Sequence, residues 1–205
     1  MPQSDFPAAA FAREDESDDA QFYVPARLVT HIDDAAIAAL TAHYGAVIPP
    51  GSVVLDLMSS WVSHLPEDLP LAEVIGHGMN SAELAANPRL TSQFVQDLNR
   101  DPALLLENAR CDAALCCVSV QYLQRPTEVF AEVRRVLKPG APFIVSYSNR
   151  CFPTKAVAIW RGLDTRGHAS LIQRYMTLAG YTDIAAEVLA NGMNGDPLVA
   201  VTGLA

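Results

Sequence analysis

The segment from Cys111 to Arg150 constrains the fold more than any other part of the chain. An apolar run over Ala113–Val120 has the length and bulk of a buried strand. The sequence TEVFAEVRRVL follows it, with apolar residues at helical spacing, and the KPG sequence at 138–140 ends that helix. Phe143–Tyr147 is the next predicted strand. Strand, helix and strand joined by short connections predict a βαβ unit with parallel pairing.

Length and composition predict one globular domain with a disordered acidic tail. The chain has 205 residues, half of them hydrophobic, which suits a single core of good size. Residues 1–20 are acidic and show no periodicity, so we expect disorder there and a folded domain over residues 21–205. The predicted helices are Asp33–Tyr44, Ser81–Asn87, Thr154–Gly162 and His168–Ala179, with a helix or turn over Asp101–Glu107. The further predicted strands are Val53–Met58, Glu73–Gly76, Gln93–Asp97, Thr182–Leu189 and Leu198–Thr202.

The alternation of strands and helices predicts a doubly wound, Rossmann-like α/β fold. We expect a mostly parallel seven-stranded sheet with an antiparallel edge strand. In such sheets ligands bind beyond the carboxyl ends of the strands, so the loops that follow the strands are the candidate site.

Charge and cysteine content restrict the partners. The net charge is −9 and the 14 Lys and Arg residues are scattered, which argues against a broad nucleic-acid surface and favours a small substrate. No apolar run reaches 18 residues, and no secretory leader pattern is visible, so no membrane association is expected. The four cysteines form no CxxC pair, which indicates reduced thiols and a cytoplasmic protein. The sequence does not indicate an oligomeric state.

The segment Cys111–Asn149 resembles the second half of class I S-adenosylmethionine-dependent methyltransferases. Small-molecule members of the type 11-like group carry the pattern FDAVxxxxxLHHLxDPxxxLxExxRVLKPGGxLxIS, which CDAALCCVSVQYLQRPTEVFAEVRRVLKPGAPFIVSYSN matches almost throughout. The resemblance implies the methyltransferase fold, S-adenosylmethionine as cofactor, and methyl transfer to a small-molecule acceptor. The alternative is a non-methylating or non-catalytic binding module on the same fold.

The loop after the first strand departs from that family. The corresponding sequence in that family is VLDLGCGTG, in which glycines allow the backbone to approach the cofactor. This chain has LDLMSSWVSHLP: Asp56 is kept, and Met58, Ser59 and Ser60 replace the glycine-containing triplet, with Trp61 next. Three interpretations stay open. The serine hydroxyls replace the backbone contacts, or Trp61 and His64 fill or repurpose the pocket, or Trp61 and Leu65 simply pack beneath the next helix.

The other loops agree with the family in part. At the end of the second strand, Gly78 stands where an acid usually binds ribose hydroxyls. The resemblance places Met79 against the adenine and Asp97 at its amino group, although Asp97 could equally be a helix cap. The candidate cofactor-binding residues are Asp56, Met58, Ser59, Gly78, Met79, Asp97, Leu98, Cys117 and Val118.

The acceptor site is less strongly indicated. His31, Tyr122 and Gln121 are the candidate catalytic residues, with His64 and His77 as further candidate bases, although each histidine could be structural. The three histidines could instead meet at a metal, but their spacing matches no ligand motif, so no metal is expected. Tyr23, Trp61, Asn149 and Arg150 are the candidate substrate-binding residues. Arg150 suits an anionic acceptor group, unless it pairs with an acid of its own chain.

Overall fold

The computed structural model describes residues 5–7 and 9–205. The α-helices are α1 (Asp19–Phe22), α2 (Asp34–Val47), α3 (Ser81–Ala86), α4 (Pro126–Val136), α5 (Ala158–Arg161) and α6 (Thr165–Ala179), and Val120–Tyr122 is a 3₁₀ turn. The strands are β1 (Val53–Leu57), β2 (Glu73–Gly78), β3 (Ser92–Val95), β4 (Ala113–Cys117), β5 (Pro142–Tyr147), β6 (Thr182–Ala190) and β7 (Leu198–Leu204).

The strands form one seven-stranded sheet in the order β3-β2-β1-β4-β5-β7-β6. Strands β1 to β5 pair in parallel, whereas β7 runs antiparallel to both of its neighbours, β5 and β6. The predicted doubly wound α/β sheet is confirmed, as is the βαβ unit formed by β4, α4 and β5. The antiparallel strand is β7, which lies one position inside the edge strand β6.

The sheet separates two apolar cores because neighbouring strand residues point to opposite faces. In β5, Phe143 and Val145 pack on one face with α4 and α6, and Ile144 packs on the other. That second face is covered by Leu40 and Tyr44 of α2, both fully buried. Since helices cover both faces, the loops at the strand ends remain free to form a site.

Some predicted elements differ in extent. The helix or turn expected over Asp101–Glu107 contains no helix in the structure. The helix expected over Thr154–Gly162 contracts to α5, whereas α6 begins earlier than expected because the Asp164 side chain accepts a hydrogen bond from the Gly167 amide. Gly180 ends α6 in the left-handed conformation, as its position in the sequence indicated.

The N-terminal residues differ from the expected disordered tail. Ala10 and Phe11 are buried in the core, and Phe11 packs against Tyr175 with ring centroids 6.3 Å apart. The acidic residues of this segment find basic partners, because Asp19 accepts two hydrogen bonds from Arg13 at 2.8 and 2.7 Å. Over residues 9–20 the prediction of a disordered tail is therefore wrong; residues 1–4 and 8 lie outside the described residues.

Candidate functional site

A cavity of about 590 Å³ lies at the carboxyl ends of the parallel strands. Its floor comes from the loops after β1, β2, β3 and β4, which flank the point where the strand order reverses. Its roof is residues 23–33, a segment without helix or strand that we call the strap. The arrangement encloses a nucleoside-sized space between strap and sheet.

Most of the predicted site residues line this cavity. Those that do are Tyr23, His31, Asp56, Met58, Ser59, Trp61, Gly78, Met79, Asp97, Leu98, Cys117, Val118, Tyr122 and Arg150. Gln121 and Asn149 do not. Gln121 is buried, and its side-chain amide donates to the Val118 carbonyl at 2.9 Å, so its proposed catalytic role is withdrawn.

Two backbone amides of the loop after β1 donate hydrogen bonds to His77, at the end of β2. The Met58 amide donates to His77 Nδ1 at 3.1 Å, and the Ser59 amide donates to the His77 carbonyl at 2.6 Å. Since Nδ1 accepts, the proton lies on Nε2, which donates to the Gln96 carbonyl at 3.0 Å. Burial lowers the pKa of His77 to about 4, so this imidazole is neutral and structural rather than a base.

The serine hydroxyls are also engaged within the protein. Ser59 Oγ donates to Asp56 Oδ2 at 2.6 Å, and Ser60 Oγ donates to Glu83 Oε2 at 2.7 Å. Each hydroxyl has one proton, so these side chains offer a ligand only lone pairs. Burial raises the pKa of Asp56 to about 6, although the hydrogen bond from Ser59 opposes that shift.

The conformation of the loop after β1 leaves no room for a side chain at Gly78. A Cβ on Gly78 would come within 2.6 Å of the Ser59 carbonyl oxygen, a backbone atom that cannot rotate away. The loop after β1 therefore occupies the space that a side chain would need at the end of β2. The conformation of the loop after β1 and the absence of a side chain at position 78 are thus structurally coupled.

Backbone strain gathers around the cavity. Five non-glycine residues have positive φ among the described residues, and Met58 (φ 55°), His64 (φ 54°) and Val118 (φ 45°) line the cavity. A β-branched residue such as Val118 is especially unfavourable there. Strain of this kind concentrates at ligand sites, where it costs about 1–3 kcal/mol for each residue.

The loop after β3 leaves polar atoms available. Asp97 uses Oδ1 to accept the Asn99 amide at 2.9 Å, in a turn that holds the side chain at the cavity wall. Beside it, Gln96 Oε1 is buried without a hydrogen-bond partner among the described residues, while its Nε2 donates to two carbonyls.

The acceptor end contains His31 and Tyr122. Partial burial lowers the pKa of His31, so its imidazole is neutral at neutral pH and can accept a proton. The Tyr122 hydroxyl oxygen accepts the Phe152 amide at 2.8 Å, and burial raises the pKa of Tyr122 to about 12, so this phenol keeps its proton. Tyr122 is therefore a hydrogen-bond donor rather than a base.

Arg150 lines the cavity but is paired with an acid of its own chain. Its Nε donates to Asp196 Oδ1 at 2.8 Å, which realises the intrachain pairing that the sequence left open. Asp196 in turn joins Asp33, whose Oδ2 accepts the Asp196 amide at 2.6 Å. Because Arg150 is paired, the expectation of an anionic acceptor group loses its main support.

Trp61 stands at the wall without closing the cavity. Its indole Nε1 donates to the Val29 carbonyl of the strap at 3.0 Å.

His31, His64 and His77 all line the cavity, yet no group of three or more His, Cys, Asp or Glu side chains within residues 5–7 and 9–205 is arranged to hold a metal. None of the helices in that described part is long and apolar enough to cross a membrane.

Several residues that line the cavity are not among the candidate site residues predicted from the sequence. They are Asp19, Arg27, Glu83, Asn99, Ser119, Phe152 and Asp196. Glu83 lies on α3, and Arg27 and Phe152 come from distant segments that tertiary packing brings together. No local motif marks these residues, so only the fold could reveal them.

Comparison with known proteins supports the fold that the geometry indicates. Residues 61–145 match the family model described as a methyltransferase domain, and the match begins just after the rebuilt Met58–Ser60 triplet. A search against curated protein sequences gives no significant match.

Several solved structures share the fold at low sequence identity. A structure of the [4+2]-cyclase SpnF is 14% identical with a TM-score of 0.63, covering 88% of each chain. An S-adenosylmethionine-dependent methyltransferase from Mesorhizobium loti is 16% identical with a TM-score of 0.58, covering 82% of this chain and 98% of that one. Phosphoethanolamine N-methyltransferase 2 from Haemonchus contortus, in complex with S-adenosyl-L-methionine, is 13% identical with a TM-score of 0.56, covering 80% and 52%.

The chain therefore has the class I methyltransferase fold, as its sequence indicated. The family match over residues 61–145 supports methyl transfer as the general reaction and S-adenosylmethionine as the cofactor, whereas the solved structures, at 13–16% identity, show the fold.

Proposed function

We propose that this protein transfers a methyl group from S-adenosylmethionine to a small-molecule acceptor. The observation that carries the proposal is the cavity of about 590 Å³, which persists at the strand ends although every loop glycine has been replaced. Its volume falls within the roughly 300–1,000 Å³ of small-molecule sites. A cytoplasmic location remains a prediction from sequence.

The residues present suit the nucleoside half of the cofactor better than its methionine half. Asp97 uses only Oδ1 in its turn, so Oδ2 can receive an adenine amino group, and Met79 and Leu98 supply apolar walls. At the other half, Ser59 and Ser60 can accept hydrogen bonds but not donate them, which suits an ammonium group. When bound, S-adenosylmethionine supplies an activated methyl group, so the protein's task is alignment and exclusion of water.

At the acceptor end, His31 is the proposed proton acceptor and Tyr122 a proposed hydrogen-bond donor. The neutral imidazole of His31 belongs to the strap, and its ring centroid lies 5.6 Å from that of Phe152. Tyr122 stacks on the same Phe152 ring, so the two candidates share one aromatic wall. Tyr23 and Trp61 complete the proposed acceptor contacts. The cavity volume of about 590 Å³ favours a small acceptor.

Titration calorimetry with S-adenosylmethionine and S-adenosylhomocysteine tests the cofactor site. Replacing Asp97 with Asn keeps the turn acceptor for the Asn99 amide but removes the charge, and should weaken binding about tenfold. Asp101→Asn is the matched control, because Asp101 makes the same type of turn with the Ala103 amide outside the cavity. Equal affinities for the two variants would remove Asp97 from the site, and no heat with either ligand would contradict the proposal.

The second candidate function is ligand binding or another reaction without methyl transfer. The inward-turned amides of Met58 and Ser59 favour it, since these groups are no longer free for a cofactor. A cyclase among the structural neighbours is consistent with chemistry of another type on this fold. Incubation with methyl-labelled S-adenosylmethionine and a panel of amines, phenols and carboxylic acids separates the two. Tight cofactor binding without label transfer to any acceptor class would favour the second function.

A further inference from the structure

The strap has little apolar burial to hold it in place. Val24, Leu28 and Val29 are 72%, 55% and 56% exposed, so three large apolar side chains point to solvent. Ile32, near its end, is the buried apolar residue at 4% exposure. Segments that bury few apolar groups belong to the least stable parts of a fold, so polar contacts must determine where the strap rests.

Three side chains hold the first part of the strap, and we call Trp61, Asn80 and Glu83 the latch; the far end of the strap is held by hydrogen bonds between Asp33 and Asp196. Asn80 Nδ2 donates to the Tyr23 and Val24 carbonyls at 2.8 and 3.1 Å. Glu83 Oε1 accepts the Arg27 amide at 2.7 Å. Trp61 Nε1 donates to the Val29 carbonyl at 3.0 Å. The strap backbone is thus held at four points along its first seven residues.

The latch is itself rigid. Asn80 Oδ1 caps α3 by accepting the Ala82 and Glu83 amides at 2.9 and 3.1 Å, which fixes its side-chain amide toward the strap. Ser60 Oγ donates to the second oxygen of Glu83, so the loop after β1 orients the carboxylate. Glu83 is only 9% exposed, and such a charge-assisted hydrogen bond is about twice as strong as a neutral one.

The latch comes from the two loops that depart from the family. Trp61 and Ser60 belong to the loop after β1, and Asn80 and Glu83 follow β2. Their polar groups bond to the strap or to one another rather than facing the cavity unpaired. The two segments that lack the family's glycines and ribose acid therefore include the residues that hydrogen-bond to the strap.

The strap also reaches the acceptor wall. The Arg27 guanidinium lies 4.7 Å from the Phe22 ring centroid and 5.3 Å from that of Phe152. Phe152 stacks in turn on Tyr122. Displacing the strap would withdraw Arg27 and His31 together, so an open strap lacks both a cavity roof and the proposed proton acceptor.

We propose that the latch holds the strap closed over the cavity and that ligand exchange requires its release. Trp61, Asn80 and Glu83 act as positioning residues, because their hydrogen bonds set the strap; the Trp61 ring is also one of the proposed acceptor contacts. The identity of the ligand rests on the proposed function, whereas the opening of the strap does not.

Hydrogen–deuterium exchange and ligand dissociation test the proposal on the full chain. In Glu83→Ala the Arg27 amide loses its acceptor, so exchange over residues 24–30 of the ligand-free protein should accelerate about tenfold. Dissociation of S-adenosylhomocysteine, followed by stopped flow, should accelerate by a similar factor, and its association should accelerate as well, because entry and exit both pass through the open strap. Glu107→Ala, an exposed carboxylate outside the cavity, is the matched control.

A second variant guards against loss of folding. Trp61→Phe removes the indole donor and keeps an aromatic ring, so it should accelerate strap exchange severalfold while the exchange of β4 and β5 stays unchanged. Unaltered strap exchange in both variants would overturn the proposal. Absence of S-adenosylhomocysteine binding in the unmodified protein would contradict the proposed function alone, because strap exchange still tests the latch.

Discussion

At the scale of single residues, Asp56 is the most unusual charge in the molecule. It is 3% exposed and its hydrogen-bond partners are neutral hydroxyls, so burial raises its pKa to about 6. An unfolded aspartate ionises near pH 4. Between these values the folded state binds more protons than the unfolded state, so stability falls as pH rises from about 4 to 6 and then stays lower.

Replacing Asp56 with Asn should therefore stabilise the protein at pH 8 by up to roughly 2–3 kcal/mol and change little at pH 4. Thermal unfolding at the two pH values measures this. Asp112→Asn is a control of opposite sign, because Lys138 and the Val53 amide lower the pKa of Asp112. Stability from Asp112 is present above pH 4 and lost in acid, so its variant should be less stable at pH 8. If Asp56→Asn instead destabilised the protein at pH 8, the cost of burying the Asp56 carboxylate would be offset by interactions that the variant loses.

At the scale of elements, the end of β2 and the loop after β1 must be considered together. The Ser59 carbonyl lies where a Cβ on residue 78 would stand, and the Leu84 side chain lies 3.1 Å from the same point. A sequence comparison suggests that restoring an acid at position 78 would restore ribose binding. The geometry predicts the opposite.

Gly78→Ala should destabilise the fold by about 1–3 kcal/mol, since a backbone oxygen cannot move without disturbing the loop. Gly78→Asp should be no more stable and should bind S-adenosylmethionine no more tightly. Gly76→Ala is the comparison, because its Cβ would meet only the flexible end of Leu90. Chemical denaturation and calorimetry give both quantities; tighter cofactor binding by Gly78→Asp would show that the loop can retreat.

The elements also show how far the sequence alone could predict. Strand β4, helix α4 and strand β5 follow from local periodicity and a clear stop signal, and the structure confirms them. The hydrogen bonds of Trp61 and Asn80 to the strap could not be predicted, because they join segments 32 and 57 residues apart with no shared motif. Most candidate site residues line the cavity because the strand ends converge, whereas the Gln121 side chain is buried and hydrogen-bonded to the Val118 carbonyl beside it.

At the scale of the whole molecule, buried charges attach the N-terminal segment to the domain. Lys155 Nζ donates to the Ser17 carbonyl at 2.7 Å and lies 3.1 Å from Asp19 Oδ1. The Lys155 side chain is 0% exposed, and Asp19 is also held by Asn99 at the cavity wall. An acidic composition indicated disorder, but composition does not reveal that a distant lysine and an arginine neutralise the segment.

Lys155→Met tests this attachment. Removing Lys155 leaves the buried Asp19 carboxylate with Arg13 as its remaining cationic partner and takes the donor from the Ser17 carbonyl, so the variant should lose up to roughly 3 kcal/mol of stability. Residues 9–22 should become sensitive to protease, because Asp19 and Ser17 lose their shared partner. Lys138→Met is the matched control: Lys138 pairs with Asp112 near the surface, where an ion pair contributes less than about 1 kcal/mol. If the Lys155 variant matched the control in both measurements, the N-terminal segment would not depend on this lysine for its docking.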